Sequence, residues 1–206
     1  MDVKSAFLNG NLKEEIYMEQ PQGYVHDSSL VCRLKKSLYG LKQSPRAWYA
    51  KMDSFLLSQG FHRCKSDPNV YMLRHDDSLL LIFLYIYELL ITGSSLSEIA
   101  WVKSALHDRF SMSDMGLLHY FLGLEVSQST SGIKMAQTKY ALDLLDRFQM
   151  TDCKQTGSPF LSEVRLEEGV TTPLVENTLY RQLVGSLLYL THTHPDLPYA
   201  MSVFLL

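Results

Sequence analysis

Three cysteines in 206 residues, Cys32, Cys64 and Cys153, are too few and too far apart for a disulfide scaffold, and none forms a CxxC pair. The chain therefore reads as a reduced, intracellular protein held together by packing. It also lacks a strong charge of either sign. Nineteen Lys and Arg against 22 Asp and Glu leave a net charge of −3, so any nucleic-acid function has to rest on a local basic surface. There is no internal repeat and no low-complexity tract, and Met1 is followed at once by Asp2-Val3-Lys4 rather than by an apolar targeting segment. The most apolar run, from Leu79 to Gly93, is broken by Glu88 and falls short of the roughly 20 residues a transmembrane helix takes, so no membrane partner is expected.

What is present organises around that run. Leu, Ile, Phe and Tyr bounded by Asp76-Asp77-Ser78 and by Thr92-Gly93-Ser94 suit two buried strands joined by a tight turn near Tyr85 to Tyr87. Glu88 then sits at the hairpin tip against a buried sheet. A carboxylate there either points to solvent from an edge or requires a cation, because a buried charge must be paired.

Along the chain, Met1 to Phe7 reads as a short strand ended by the Asn9-Gly10 turn signal, and a domain that opens on a strand leads us to expect a missing upstream portion. Glu14 to Pro21 reads as an exposed strand or loop, and Val31 to Lys35 as a half-buried strand. From Arg33 to Lys51 the charges are Arg33, Lys35, Lys36, Lys42, Arg46 and Lys51, with no acid among them and with Tyr39, Trp48 and Tyr49 interleaved. Such a mixture suits a nucleic-acid track, and equally a solvated helix face with a core Trp. Ser44-Pro45 is a helix start, with Ser as N-cap and Trp48, Met52, Phe55 and Leu56 on one face. Trp48 is then core, and Tyr39, beside the permissive Gly40, is the aromatic left for a ligand.

Val70 to Leu73 is a strand. Ser95-Leu96-Ser97-Glu98 is a capping box, followed by Leu96, Ile99, Val102, Leu106 and Phe110 at helical spacing. Met112 to Gly116 reads as a strand and turn, His119 to Val126 as one strand, and Ile133 to Met135 as its return after a turn over 127–132. Ala141, Leu144, Leu145 and Phe148 mark a helix, Cys153 to Thr172 a linker, Tyr180 to Leu190 a helix, and Pro195 to Leu206 the start of another. His192-Thr193-His194-Pro195-Asp196 carries metal-ligating residue types, but Asp before a helix is more often an N-cap. Strands dominate the first two-thirds and helices the last third, which gives an α+β domain followed by a helical subdomain.

Four blocks then resemble the reverse transcriptase of copia-type LTR retrotransposons: Met1 to Gly10, Glu15 to Pro21, Leu34 to Tyr49 and Tyr120 to Val126. They occur in order along nearly the whole chain. The resemblance implies a right-hand polymerase with a palm, an antiparallel sheet with packed helices, over residues 1–136 and including partial fingers elements. Residues 137–206 would be truncated thumb and connection helices, and the fingers would be largely missing. It implies Asp2 as the first catalytic aspartate, Phe7 against the nucleotide's sugar, and Tyr39 and Gly40 in the block that contacts nucleotide and template. Lys35, Lys36, Lys42 and Arg46 would line the nucleic acid, and Phe121, Leu122 and Gly123 would form the primer grip. The implied cofactor is Mg²⁺ in a two-metal site, with a primer–template and a deoxynucleoside triphosphate as partners. The implied setting is the cytoplasm, in a virus-like particle, or the nucleus, and the oligomeric state is left open.

The family's Tyr-x-Asp-Asp is here Tyr85-Ile86-Tyr87-Glu88. The catalytic positions of the hairpin are thus Tyr87 and Glu88, and a neutral phenol brings no charge to a metal site that Asp2 and Glu88 would otherwise share. The expectation is a decayed polymerase, with a non-catalytic nucleic-acid-binding protein as the alternative.

Overall fold

The computed structural model describes residues 1–157 and 175–204, and it divides into two compact units, Met1–Leu117 and Leu118–Leu206. The fold is α+β.

The first unit is built on the apolar run. Strands β5 (Val70–His75), β6 (Ser78–Tyr85) and β7 (Glu88–Gly93) pair antiparallel through two tight hairpins. Three short strands, β1 (Asp2–Val3), β4 (His62–Arg63) and β8 (Met112–Ser113), complete a six-stranded sheet of order β4-β5-β6-β7-β1-β8. Period-2 alternation decides which face is core: Leu80, Ile82 and Leu84 are buried while Leu79, Leu81 and Phe83 are half-buried. On the core face lie helices α1 (Ser44–Ser58) and α2 (Leu96–Arg109). Trp48, Met52 and Leu56 from α1 and Val102 and Leu106 from α2 join Tyr71, Leu80, Ile82 and Leu89 in one cluster. Each such side chain contributes roughly 1.5–3 kcal/mol of burial, enough to anchor a two-residue strand such as β1. Beside the core, the Asp53 carboxylate takes a bidentate pair from Arg63 at 2.5 Å and a bond from the Tyr71 hydroxyl at 2.9 Å. A small ladder of β2 (Tyr17–Met18) and β3 (Cys32–Arg33) lies apart from the main sheet.

The second unit carries a three-stranded sheet, β9 (Tyr120–Phe121), β10 (Leu124–Ser129) and β11 (Gly132–Ala136), in the order β11-β10-β9. With it go helices α3 (Thr138–Arg147), α4 (Asn177–Leu190) and α5 (Pro198–Phe204). In this division the sheet falls in the same unit as those helices.

Several local expectations are corrected. The strand expected over Met1 to Phe7 is only two residues long, because Ser5 turns left-handed (φ 52°) into a 3-10 turn over Ala6–Asn9. Ser44 is not the helix cap: Gln43 holds that position, and the Ser44 hydroxyl donates instead to the Leu38 carbonyl. Leu96, expected on the apolar face of α2, is 85% exposed, while Ser95 caps Glu98 as the capping box requires. The single strand expected over His119 to Val126 is a hairpin that turns at Leu122-Gly123, where both residues have positive φ (51° and 80°). The last helix begins at Pro198 rather than at Pro195. Most of the expected linker, residues 158–172, lies outside the described residues, as do the final two residues of the chain.

Candidate active site

The site is a row across the sheet. Asp2 faces Glu88 on one neighbouring strand and Ser113 on the other, and Glu88 faces Tyr85 across the hairpin. Residues directly opposite share a face, so Tyr85, Glu88, Asp2 and Ser113 project to the same side, away from the core. The bonds flanking the first pair run from Val3 N–H to Tyr87 O (3.0 Å) and from Leu89 N–H to Met1 O (2.8 Å). Asp2 and Glu88 are thus a non-hydrogen-bonded pair, the closer of the two antiparallel pairings, with Cα atoms about 4.5 Å apart in a regular ladder. Two carboxylates so placed repel each other unless a cation lies between them. The Met1 ammonium donates to Leu89 O at 2.7 Å. Burial lowers its pKa below the ordinary value, against the pull of the Asp114, Asp2 and Glu88 carboxylates.

The turn that carries Glu88 is strained. Ile86 adopts φ 54°, a region β-branched residues avoid, at a cost of about 1–3 kcal/mol. In the neighbouring hairpin Asp76 takes the same role at φ 45°, and aspartate tolerates it. The Ile86 carbonyl accepts a 2.6 Å bond from the indole N–H of Trp48. Tyr87 follows Ile86 in the turn and is 41% exposed.

A second cluster brings together the residues expected to meet a nucleotide. Phe7 and Tyr39 pack edge to face with ring centroids 5.0 Å apart. The buried Ser37 hydroxyl donates to the carbonyl of Phe7 and, at 3.4 Å, to that of Gly10, while Ser37 N–H bonds Gly10 O at 3.0 Å. Gly10 is where backbone and helix meet: a Cβ there would lie 2.6 Å from Ser37 Oγ and 2.9 Å from Trp48 N. Tyr39 is 58% exposed, and Gly40 at φ 88° faces open space. Lys35, Lys36, Lys42 and Arg46 are exposed and form no ion pair among the described residues, whereas Arg33 is held by Glu15 at 2.7 Å.

Phe121, Leu122 and Gly123 lie in the second unit, at the turn between β9 and β10. The Tyr189 hydroxyl from α4 donates to Leu122 O, and a Cβ on Gly123 would lie 2.3 Å from the Tyr189 hydroxyl oxygen. Tyr189 is fixed in turn by the Tyr140 ring, 4.7 Å away edge to face, and by Gln137, whose amide donates to Tyr189 O at 3.2 Å.

Sequence reasoning missed Ser37, the Trp48 indole bond and Tyr189. Ser37 and Trp48 stand in the block that carried the resemblance, but periodicity reports burial and not what a buried donor bonds. Tyr189 left no signal beyond its place in an apolar helix. Among the described residues there is no cluster of three or more His, Cys, Asp or Glu that could hold a metal, and this includes the His192 to Asp196 segment. No helix among them is long and apolar enough to cross a membrane.

A short carboxylate-bearing hairpin beside a strand that starts with Asp, on a sheet backed by two helices, fits the family that the sequence indicates. The chain belongs to the reverse transcriptase (RNA-dependent DNA polymerase) family, which matches residues 1–162. It is 41% identical over 204 residues to the retrovirus-related Pol polyprotein from transposon RE2 of Arabidopsis thaliana and 39% identical over 215 residues to that from transposon TNT 1-94 of Nicotiana tabacum. Each match covers 98% of this chain, so the chain spans only 14% and 16% of the length of those relatives. The transposon Ty5-1 protein of Saccharomyces cerevisiae is 32% identical over 207 residues, covering 98% of this chain and 67% of that protein. No solved structure matches the chain.

Proposed function

We propose that this chain is the palm and thumb portion of a copia-type retrotransposon reverse transcriptase, an RNA-directed DNA polymerase in which this copy has lost most of its catalytic power. The palm takes in residues 1–136, with the six-stranded sheet, and the thumb is formed by the helices from Thr138 onward. The observation that carries this reading is the facing pair Asp2 and Glu88, beside a turn in which Tyr87 takes the position of the family's first hairpin aspartate.

Two carboxylates on facing positions of neighbouring strands fit one hard divalent cation, which takes oxygen ligands. They do not make the two-cation site that the family resemblance implies, because Tyr87 supplies no carboxylate. Asp2 and Glu88 would hold Mg²⁺ there, and its chemistry is to stabilise the charge of a phosphate as a Lewis acid. Glu88 is one methylene longer than aspartate, and misplacement by about 1 Å costs roughly a hundredfold in rate. Phe7 and Tyr39 then form the wall against which the nucleotide's sugar and base lie, with Gly40 leaving the backbone open to approach. Leu122 and Gly123 support the primer end.

Primer extension on an RNA template, with Mg²⁺ or Mn²⁺, tests this reading. The expected result is little or no product; vigorous extension would contradict it.

A second reading is favoured by the exposed Lys35, Lys36, Lys42 and Arg46, which form no ion pair among the described residues: a protein that binds nucleic acid without chemistry. Each phosphate contact releases counterions, so binding through these cations weakens steeply with salt, with a logarithmic slope of about −0.9 per contact on duplex DNA. Binding independent of salt, or unchanged when the four are replaced by Gln, would exclude this route.

A further inference from the structure

We propose that Trp48 is a positioning residue of the candidate site, which holds the Tyr85-Ile86-Tyr87-Glu88 turn in its strained form and so keeps Glu88 opposite Asp2. The role concerns this turn and not core packing alone, and three observations point to it.

The first is the strain itself. Ile86 at φ 54° is a β-branched residue in a conformation that glycine, and to a lesser degree Asn or Asp, adopts freely. Such a residue persists only where its surroundings over-determine it. The second is the tether. The Trp48 indole N–H reaches 38 residues along the chain to the carbonyl of that same Ile86, at 2.6 Å. Its ring is 1% exposed, so breaking the bond without disturbing the ring would leave a donor buried and unsatisfied. The third is the buttress. Trp48 packs edge to face on Phe110 at 5.3 Å, and Phe110 packs likewise on Phe55 at 5.3 Å, so the indole cannot turn away. Phe110 N–H is itself bonded to Leu106 O, which fixes the buttress to α2.

The turn cannot relax without consequence for the pair. Val3 N–H bonds Tyr87 O, and Leu89 N–H bonds Met1 O, so the residues on either side of Glu88 are the ones that set β1 in register. If the turn lets go of Ile86 O, the ladder that places Asp2 opposite Glu88 loses its end. Trp48 is also the residue whose backbone nitrogen closes on Gly10, so one helical position contacts both the segment of the Phe7 cluster and the turn.

The functional consequence rests on reading Asp2 and Glu88 as the site's carboxylates, but the tether does not. Residue-resolved amide hydrogen exchange on the whole chain therefore tests it even if the polymerase reading fails. Trp48→Phe keeps a ring against Phe110 and removes the donor. We expect the Val3 and Leu89 amides to exchange about tenfold faster or more, with the Phe110 amide little changed. In an Ile86→Gly background the turn carries no strain, and there the same substitution should change those two amides by less than about twofold. Uniform acceleration throughout the core, or an equal effect in both backgrounds, would overturn the proposal. On the unsubstituted chain the Trp48 indole proton should exchange slowly, in step with Val3 and Leu89. Exchange as fast as that of the 44% exposed Trp101 would overturn it whatever the variants do.

Discussion

Asp2 and Glu88 face each other across β1 and β7 in the closer of the two antiparallel pairings, with Val3 N–H bonded to Tyr87 O and Leu89 N–H to Met1 O on either side. Neither residue forms a salt bridge with a Lys, Arg or His side chain among the described residues. Like charges directly opposite on a sheet destabilise it by roughly 0.2–1 kcal/mol. On the reading proposed above, a divalent cation held between the two carboxylates would offset that repulsion.

Divalent cations should then stabilise the chain. At ten times the dissociation constant, Mg²⁺ or Mn²⁺ should raise the unfolding free energy by about 1.4 kcal/mol. Denaturant titrations check this, and the gain should vanish in Asp2→Asn and in Glu88→Gln. An equal gain in all three proteins would mean that the cation binds elsewhere.

The two glycines near the Phe7 cluster should respond differently to alanine. Gly10 is limited by space, since a Cβ would press on Ser37, Ala47 and the Trp48 backbone, and Gly10→Ala should cost about 1–3 kcal/mol. Gly40 is limited by conformation alone, because it faces open space at φ 88°, and Gly40→Ala should cost about 1–2 kcal/mol. Adding Ser37→Ala should recover part of the first loss and none of the second, measured by urea midpoint at constant slope.

In the second unit, Tyr189→Phe removes the donor to Leu122 O and should cost about 1 kcal/mol. Gly123→Ala should cost more, because its Cβ meets the Tyr189 oxygen at 2.3 Å and its φ is 80°. Combining Gly123→Ala with Tyr189→Ala should give less than the sum of the single losses, a coupling readable in a double-mutant cycle.

Asp53 supplies a pH dependence. Arg63, with help from the Tyr71 hydroxyl, holds its carboxyl below the usual value of 3.8, while burial opposes this. A carboxyl whose pKa is lowered in the folded state contributes stability that is full above the unfolded value and is lost as pH falls below 3.8 through the folded one. Asp53→Asn should therefore be less stable than the parent at pH 7, and the gap should close as pH drops below 3.8. Thermal melts of the two proteins across that range decide it, and a gap independent of pH would mean that the ionised carboxylate is not what stabilises.

Much of the first unit is legible in the sequence because its signals are periodic. Trp48, Met52 and Leu56 repeat every four residues and are buried, and the apolar run around Glu88 folds into the expected hairpin. The turn at Leu122-Gly123 was not legible, since Leu in a left-handed position carries none of the Asn or Asp chemistry that marks a tight hairpin. The β1 strand is shorter than its sequence suggests because a two-residue strand owes its existence to β7 and β8 on either side, not to its own pattern. The pair Asp2 and Glu88 is foreseeable only through the family resemblance, because 85 residues of chain lie between them. The bonds of Ser37, Trp48 and Tyr189 depend on where distant carbonyls lie, and no local pattern encodes that.

The central proposal is that the scaffold of a polymerase site survives here while Tyr87 supplies no carboxylate, which leaves Asp2 and Glu88 to hold one cation in place of two. Its most direct test is primer extension on an RNA template with Mg²⁺. The chain, set in place of the matching 14% of the RE2 Pol polyprotein, is compared with its Tyr87→Asp/Glu88→Asp variant in the same setting. Extension by the variant and not by the parent is the predicted result. Equal extension by both, abolished in each by Asp2→Asn, would contradict the account, because the pair as it stands would then suffice for catalysis.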